Sequence, residues 1–242
     1  MKTVAAIAVL LLFAIGASAQ VVGELNRRQA LQHYRVGQEL LVAERFEEAA
    51  AQFTTAIELD PLLTLAHYGR GQAYMALKRY ASAVQAFIGG RHAYERLADL
   101  RQRDLAASNR LRIDEINELR ESVRRMNSQV KVDALTAARI SRRLEELETL
   151  GATTFGEAVR IPAELSLALG SAYFRGGHLV DAEREWKAAV AANAGLGEAH
   201  NNLAVLYMQS DRKKEAEEAI KAAERARFRV HPQLKADIQK MQ

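Results

Sequence analysis

The sequence predicts an all-α protein, an α-solenoid of antiparallel helix pairs with a helical insert between two pairs of repeats. The chain of 242 residues is 49% hydrophobic but only 6% aromatic, a balance typical of a folded protein rich in aliphatic residues. It contains 3 prolines, and residues 91–150 include neither glycine nor proline, so turn signals are too rare for a many-stranded sheet. A pattern of small and large residues also recurs with a period of 34.

Residues 1–19 have the features of a cleaved secretory signal peptide. Lys2 supplies a positive charge, residues 4–15 are uninterruptedly apolar, and residues 17–19 have the small-x-small form that signal peptidase recognises. The apolar run has 12 residues, whereas a helix that crosses a bilayer needs about 20. We therefore expect an exported protein of the periplasm. The alternative is an uncleaved N-terminal anchor, in which residues 16–22 lengthen the apolar segment.

The chain has no cysteine, and its formal charge is +4. A lipid-anchored lipoprotein is excluded, because its lipid acceptor is a cysteine that follows the leader. Because 34 basic residues nearly balance 30 acidic ones, the charge does not demand a nucleic-acid partner, and export argues against one.

Two pairs of 34-residue units flank a different middle segment. The N-terminal pair spans residues 30–97, and the C-terminal pair spans residues 163–230. Alignment of the first pair superposes Gly37 on Gly71, Leu40 on Tyr74, Phe46 on Tyr80, Ala49 on Ala83 and Phe53 on Phe87. Alignment of the second pair superposes Gly170 on Ala204, Tyr173 on Tyr207, Ala182 on Ala216, Trp186 on Ile220 and Ala189 on Ala223.

Small and large residues alternate in these units as close helix packing requires. Small residues recur where two helices must approach, and large residues fill the space beside them. The small residues are Gly37, Gly71 and Gly170, and the large ones are Phe53, Phe87 and Trp186. A single helix pair cannot cover its own apolar face, so neighbouring units must stack. Pro61 cannot continue a helix and ends the first unit.

The pattern resembles the tetratricopeptide repeat (TPR) family. The first unit has the family's small, aromatic and proline residues at Gly37, Leu40, Ala49, Phe53, Ala56 and Pro61. The resemblance implies TPR-like helix pairs, A and B, stacked into a superhelix whose concave groove is lined mainly by A helices. It also implies a scaffold or adaptor that binds other proteins and is not an enzyme.

The middle segment, residues 98–162, loses the 34-residue register and has two interpretations: a helical insert or degenerate repeats. Gly71 and Gly170 are 99 residues apart, three fewer than the three repeat periods that would separate them if two regular units lay between. The second B helix either breaks at Gly89 and Gly90 or continues into this segment. We expect two or three helices that form a hairpin with a turn at Asn127 and Ser128, acting either as a docking arm or as a spacer.

The sequence offers no catalytic, cofactor or metal site. Cysteine chemistry is impossible, and no hydrolase, zinc-protease or dinucleotide motif occurs. The loop at residues 151–156 has phosphate-loop glycines but lacks the Lys-Ser/Thr that should follow. His33, His67 and His200 occupy the same place in their units, and equivalent points on packed helices lie about 8–10 Å apart, so they cannot share a zinc ion. We expect them to pack between helices.

The family's concave positions predict a partner-binding groove that is aromatic and nearly neutral. The residues at those positions are Tyr34, Gln38, Leu41, Tyr68, Gln72, Met75, Leu167, Ser171, Phe174, Arg175, Asn201, Val205 and Met208. Such a surface suits a peptide or helix held by apolar contacts and amide hydrogen bonds. The alternative is that these side chains face the insert or the next repeat.

The C-terminal end is more basic than the rest of the chain. Residues 212–242 contain 9 Lys or Arg and 5 Asp or Glu, with Arg225, Arg227 and Arg229 in series. Two interpretations follow: peripheral contact with an anionic envelope surface, or a solvated capping tail over residues 231–242 of the kind that a solenoid end requires.

Overall fold

The computed structural model describes residues 23–127, 134–149 and 161–241, and within them every regular element is an α-helix. The all-α prediction is confirmed. The helices are α1 (23–42), α2 (Phe46–Leu59), α3 (Thr64–Ala76), α4 (Tyr80–Arg103), α5 (Leu105–Asn127), α6 (Ala134–Thr149), α7 (Ala163–Arg175), α8 (Leu179–Ala192), α9 (Gly197–Gln209), α10 (Lys213–Arg225) and α11 (Pro232–Lys240). The predicted signal peptide, Ser128 and the loop at 151–156 lie outside the described residues.

The chain divides into two compact units. The first, ending at Lys78, contains α1, α2 and α3; the second, beginning at Arg79, contains α4 to α11. The boundary falls in the turn between α3 and α4, which is inside the second 34-residue unit of the sequence.

The core of the first unit is organised around the ring of Phe53 on α2, which is fully buried. The ring lies against Gly37 of α1 and Gly69 of α3, where an added Cβ would be 2.7 Å and 2.5 Å from its nearest atoms. The repeat pattern identifies Gly37 but not Gly69. Two glycines therefore allow α1 and α3 to pack closely on one aromatic side chain.

The second unit repeats this arrangement with a larger ring. Trp186 of α8 is 2% exposed, and a Cβ at Gly170 of α7 would lie 2.5 Å from it. Its indole Nε1 donates a hydrogen bond to the Leu167 carbonyl at 3.2 Å, which satisfies its buried polar atom. Helices α7 and α8 pack together, as do α8 and α9, and α9 and α10, and α11 packs on α10.

The turn between the A and B helices has one backbone geometry in four different sequences. Its positive-φ position is held by Glu44, Lys78, Gly177 and Asp211. Glycine adopts this geometry most easily, whereas the other three residues adopt it with backbone strain because they carry a Cβ. Because three of the four are not glycine, sequence alone does not reveal the turn.

The middle of the chain begins with a long helix. Helix α4 runs unbroken for 24 residues, through Gly89 and Gly90, to Arg103. Helices α5 and α6 then pack on each other, and α5 also packs on α4; α5 ends at Asn127. Helix α7 packs directly against α4, so the stack of helices passes from α4 to α7 without α5 or α6.

Replacement of Gly69 with alanine should lower the free energy of unfolding by about 1–3 kcal/mol, because the new methyl group would overlap the buried Phe53 ring. Urea denaturation of the full chain measures the change. Gly23→Ala is the matched control, because no atom lies within 4 Å of its added Cβ and alanine favours helix. Phe53→Leu should lower the free energy of unfolding by less in the Gly69→Ala background than in the wild type, because the two side chains are in contact. Equal effects of Gly69→Ala and Gly23→Ala would contradict the packing account.

Candidate functional site

The structure places the predicted groove residues on two surfaces, one in each unit. The first face consists of partly exposed side chains on α1 and α3: Gln38, Leu41, Tyr68, Gln72 and Met75. The second face consists of partly or fully exposed side chains on α7 and α9: Ser171, Phe174, Arg175, Asn201, Val205 and Met208.

Two residues predicted to line the groove are core residues instead. Tyr34 is 4% exposed, and its ring centroid lies 5.9 Å from that of Phe53. Leu167 is 2% exposed and belongs to the same cluster as Trp186. Both side chains therefore contribute to the packed interior around these rings. Neither leaves appreciable surface for a ligand.

Side chains of the second face pack against the core of the second unit. The Phe174 ring lies 5.3 Å from Trp186, centroid to centroid, and is tilted by 42°. Ser171 Oγ donates to the Leu167 carbonyl at 2.9 Å, so this hydroxyl proton is used within α7. Phe174 and Met208 are partly buried hydrophobic residues that pack against the core cluster. A ligand would therefore meet side chains whose positions are already fixed.

On α9, Asn201, Val205 and Met208 are spaced as i, i+4 and i+7, so they share one side of the helix. They provide an amide and two apolar groups. Arg175, at the last turn of α7, is exposed and supplies the only charge among the six residues of the second face.

The three equivalent histidines each make a polar contact through a ring nitrogen. His67 Nε2 lies 3.1 Å from the Pro61 carbonyl, and His200 Nε2 lies 3.1 Å from the Ala194 carbonyl. In both cases the acceptor is six residues earlier, in the turn before the A helix. His33 Nδ1 lies 2.7 Å from Gln52 Oε1. Across the described ranges, no group of three or more His, Asp or Glu residues is placed to hold a metal ion.

A polar network centred on Arg212, at the start of α10, was not predicted from the sequence. Its guanidinium donates to both carboxylate oxygens of Glu183 on α8, at 2.7 Å and 3.2 Å, and its Nε donates to Glu215 at 2.8 Å. It also lies 4.3 Å from the centroid of the Tyr207 ring on α9. One side chain thus connects three helices.

The network strongly favours the ionised form of Glu183. The hydrogen bond from Arg212 lowers the pKa of the Glu183 carboxyl to about 2, and Lys187, whose Nζ lies 2.6 Å away, acts in the same direction. Burial alone would raise that pKa, so the two cations outweigh desolvation. The repeat alignment offers one signal: an Arg followed three residues later by Glu occurs at Arg45 and Glu48 and again at Arg212 and Glu215.

Comparison with known families decides the identity of the repeats. A sequence profile described as tetratricopeptide repeat matches residues 34–88 and 167–228, which lie within the two repeat pairs. The chain is a tetratricopeptide repeat protein. TPR domains mediate protein–protein interactions and are generally not enzymes, so this TPR protein is a protein-interaction module.

Several solved structures resemble the TPR protein at low sequence identity. YrrB, a TPR protein with an unusual peptide-binding site, is 18% identical over 90% of this chain and 95% of its own, with a TM-score of 0.30. PilW, a widely conserved type IV pilus biogenesis factor, is 18% identical over 88% of this chain and 85% of its own, with a TM-score of 0.40. A thermophilic TPR protein of Thermus thermophilus is 19% identical over 88% of this chain and 98% of its own, with a TM-score of 0.29. A search of curated proteins gives no match to this sequence.

Among the residues that the structure describes, no helix combines the length and the apolar character needed to cross a bilayer.

Glu183→Gln should lower the free energy of unfolding by about 1–2 kcal/mol at pH 7, because it removes the charge that Arg212 binds. The folded-state pKa of Glu183 is depressed, so its stabilising contribution is complete above the ordinary pKa of 4.5 and is lost as the pH falls towards about 2. The difference between wild type and Glu183→Gln should therefore shrink over that range.

Urea denaturation of both proteins between pH 2 and pH 7 measures this difference. Glu48→Gln is the matched control, since Glu48 also pairs with an arginine but its side chain is 56% exposed, and it should change stability little. A difference between wild type and Glu183→Gln that does not vary with pH would contradict the role of the ionised carboxylate.

Proposed function

We propose that this TPR protein is an adaptor of the periplasm or cell envelope that binds a peptide or helix of a partner protein on the exposed faces of its A helices. The second face carries the proposal. It places an aromatic ring, a thioether, an aliphatic side chain and an amide on α7 and α9, each partly exposed.

The chemistry of the second face suits a ligand with little net charge. Phe174 offers a ring already packed on Trp186, so little conformational entropy is lost when a ligand covers it. Met208 adapts its shape to different apolar side chains. Asn201 provides a donor and an acceptor for a peptide backbone or a polar side chain.

The first face has a similar composition within its own unit. Tyr68 and Met75 on α3 provide apolar area with a polar hydroxyl, while Gln38 and Gln72 provide amides. Neither face presents the cluster of Lys and Arg that would grip a terminal carboxylate. We therefore favour an internal extended segment or an amphipathic helix as the ligand.

Export and location rest on the N-terminal sequence. Residues 1–19 support a cleaved leader and hence a periplasmic adaptor. If the leader stays attached, the same repeats would act as a membrane-tethered assembly factor of an envelope complex. The exposed Arg225, at the end of α10, and Arg227 and Arg229, which follow it, support an additional peripheral contact with an anionic envelope surface.

Phe174→Ala and Asn201→Ala should each reduce recovery of the partner by about tenfold or more when the tagged full-length protein is purified from the cell envelope. Val180→Ala is the matched control, because Val180 is 81% exposed on α8 and lies outside both faces. Thermal unfolding of each variant shows whether it is folded, which is needed for Phe174 because its ring packs on Trp186. Recovery of the same proteins in the same amounts by all variants would refute binding at the second face.

N-terminal sequencing of the protein recovered from cells tests export. The signal peptide predicts a mature chain that starts at Gln20 and is released with the soluble periplasmic fraction. A chain that retains residues 1–19 and sediments with membranes would instead support the tethered assembly factor.

A further inference from the structure

The hairpin of α5 and α6 is not required to complete the stack of repeats in the second unit. Helix α7 packs directly on α4. Arg91 of α4 also pairs with Glu185 of α8, and one of its hydrogen bonds is 3.3 Å long. These contacts join the repeats on either side of the hairpin without using any residue of α5 or α6.

Charged contacts hold the two helices of the hairpin together, and α5 also packs on α4. Arg143 of α6 donates to Glu115 of α5 at 3.0 Å, and both side chains are nearly buried, at 12% and 10% exposed. Arg125 donates to Glu118, which is 1% exposed, at 3.1 Å within α5. Arg112 of α5 donates to the Leu147 carbonyl of α6 at 3.0 Å.

Arginines of α6 contact the repeats on α4 and α7. Arg142 donates to Glu164 in the first turn of α7 at 2.9 Å, and the guanidinium of Arg143 lies 5.1 Å from the centroid of the Tyr94 ring on α4. Both use an arginine in the middle of α6.

Apolar burial in the hairpin is sparse by comparison. Among hairpin residues with described side chains, the buried hydrophobic ones are Ile116, Leu119 and Leu147. The cluster over α7 to α11 contains many more, including Leu167, Trp186, Leu206, Ile220 and Ile238. The area removed from water, which drives folding, is therefore concentrated in the repeats.

Buried ion pairs hold a structure less firmly than the same volume of packed apolar side chains, because desolvation offsets much of the attraction between the charges. An element fixed mainly by such pairs opens at a lower free energy than an element fixed by a large apolar core. We propose that the α5–α6 hairpin is a detachable arm, which opens as one unit while α7 to α10 stay folded. Opening uncovers the Tyr94 ring on α4 and the Glu164 carboxylate on α7, a surface that the closed arm covers.

Hydrogen exchange of the full-length protein, read by mass spectrometry, tests the arm. Amides of α5 and α6 should exchange together and at least about tenfold faster than those of α8 and α10. Glu115→Gln, which removes the negative charge of the buried pair with Arg143, should accelerate exchange in α5 and α6 by a further factor of about ten and leave α8 and α10 unchanged.

Glu183→Gln provides the reciprocal control, since it removes an equivalent charge from the Arg212 network and should accelerate exchange in α8 and α10 without opening α5 and α6. Equal protection of all four helices in the wild type, with Glu115→Gln accelerating them equally, would overturn the detachable arm. That outcome would leave the adaptor function intact, because the arm uses no residue of either face.

Discussion

The contact between a glycine and a large aromatic ring is the constraint on which the repeats depend. Phe53 lies against Gly37 and Gly69 in the first unit, and Trp186 lies against Gly170 in the second. Each glycine removes the side chain that would otherwise hold the helices apart, and each ring fills the resulting space. The spacing of α1, α2 and α3, and of α7 and α8, follows from these contacts.

The same contact determines what the second face offers to a partner. Trp186 supports Phe174 from below, and its indole Nε1 is occupied by the Leu167 carbonyl. The exposed side of α7 therefore lies on a tightly packed core. A binding surface of this kind gains affinity from being already ordered before the ligand arrives.

Two kinds of interaction divide the second unit. The repeats use apolar packing with charged pairs at its margin, as at Arg212 and Glu183. The α5–α6 hairpin buries few apolar side chains and has arginine and glutamate pairs in its interior. This difference gives the second unit a stable part, which carries the proposed second face, and a hairpin whose interior depends on electrostatics.

The sequence by itself determined the repeat period, the helical class and the small and large residues, among them Gly37, Gly170, Phe53 and Trp186, at which helices pack closely. Close packing of helices requires small and large residues at periodic positions. Only the tertiary structure decided that Tyr34 and Leu167 serve the core, that α4 continues through Gly89 and Gly90, and that Arg212 joins Glu183. Burial depends on which neighbours surround a position, and an ion pair such as that of Arg212 and Glu183 joins residues 29 positions apart. No local pattern encodes either relation.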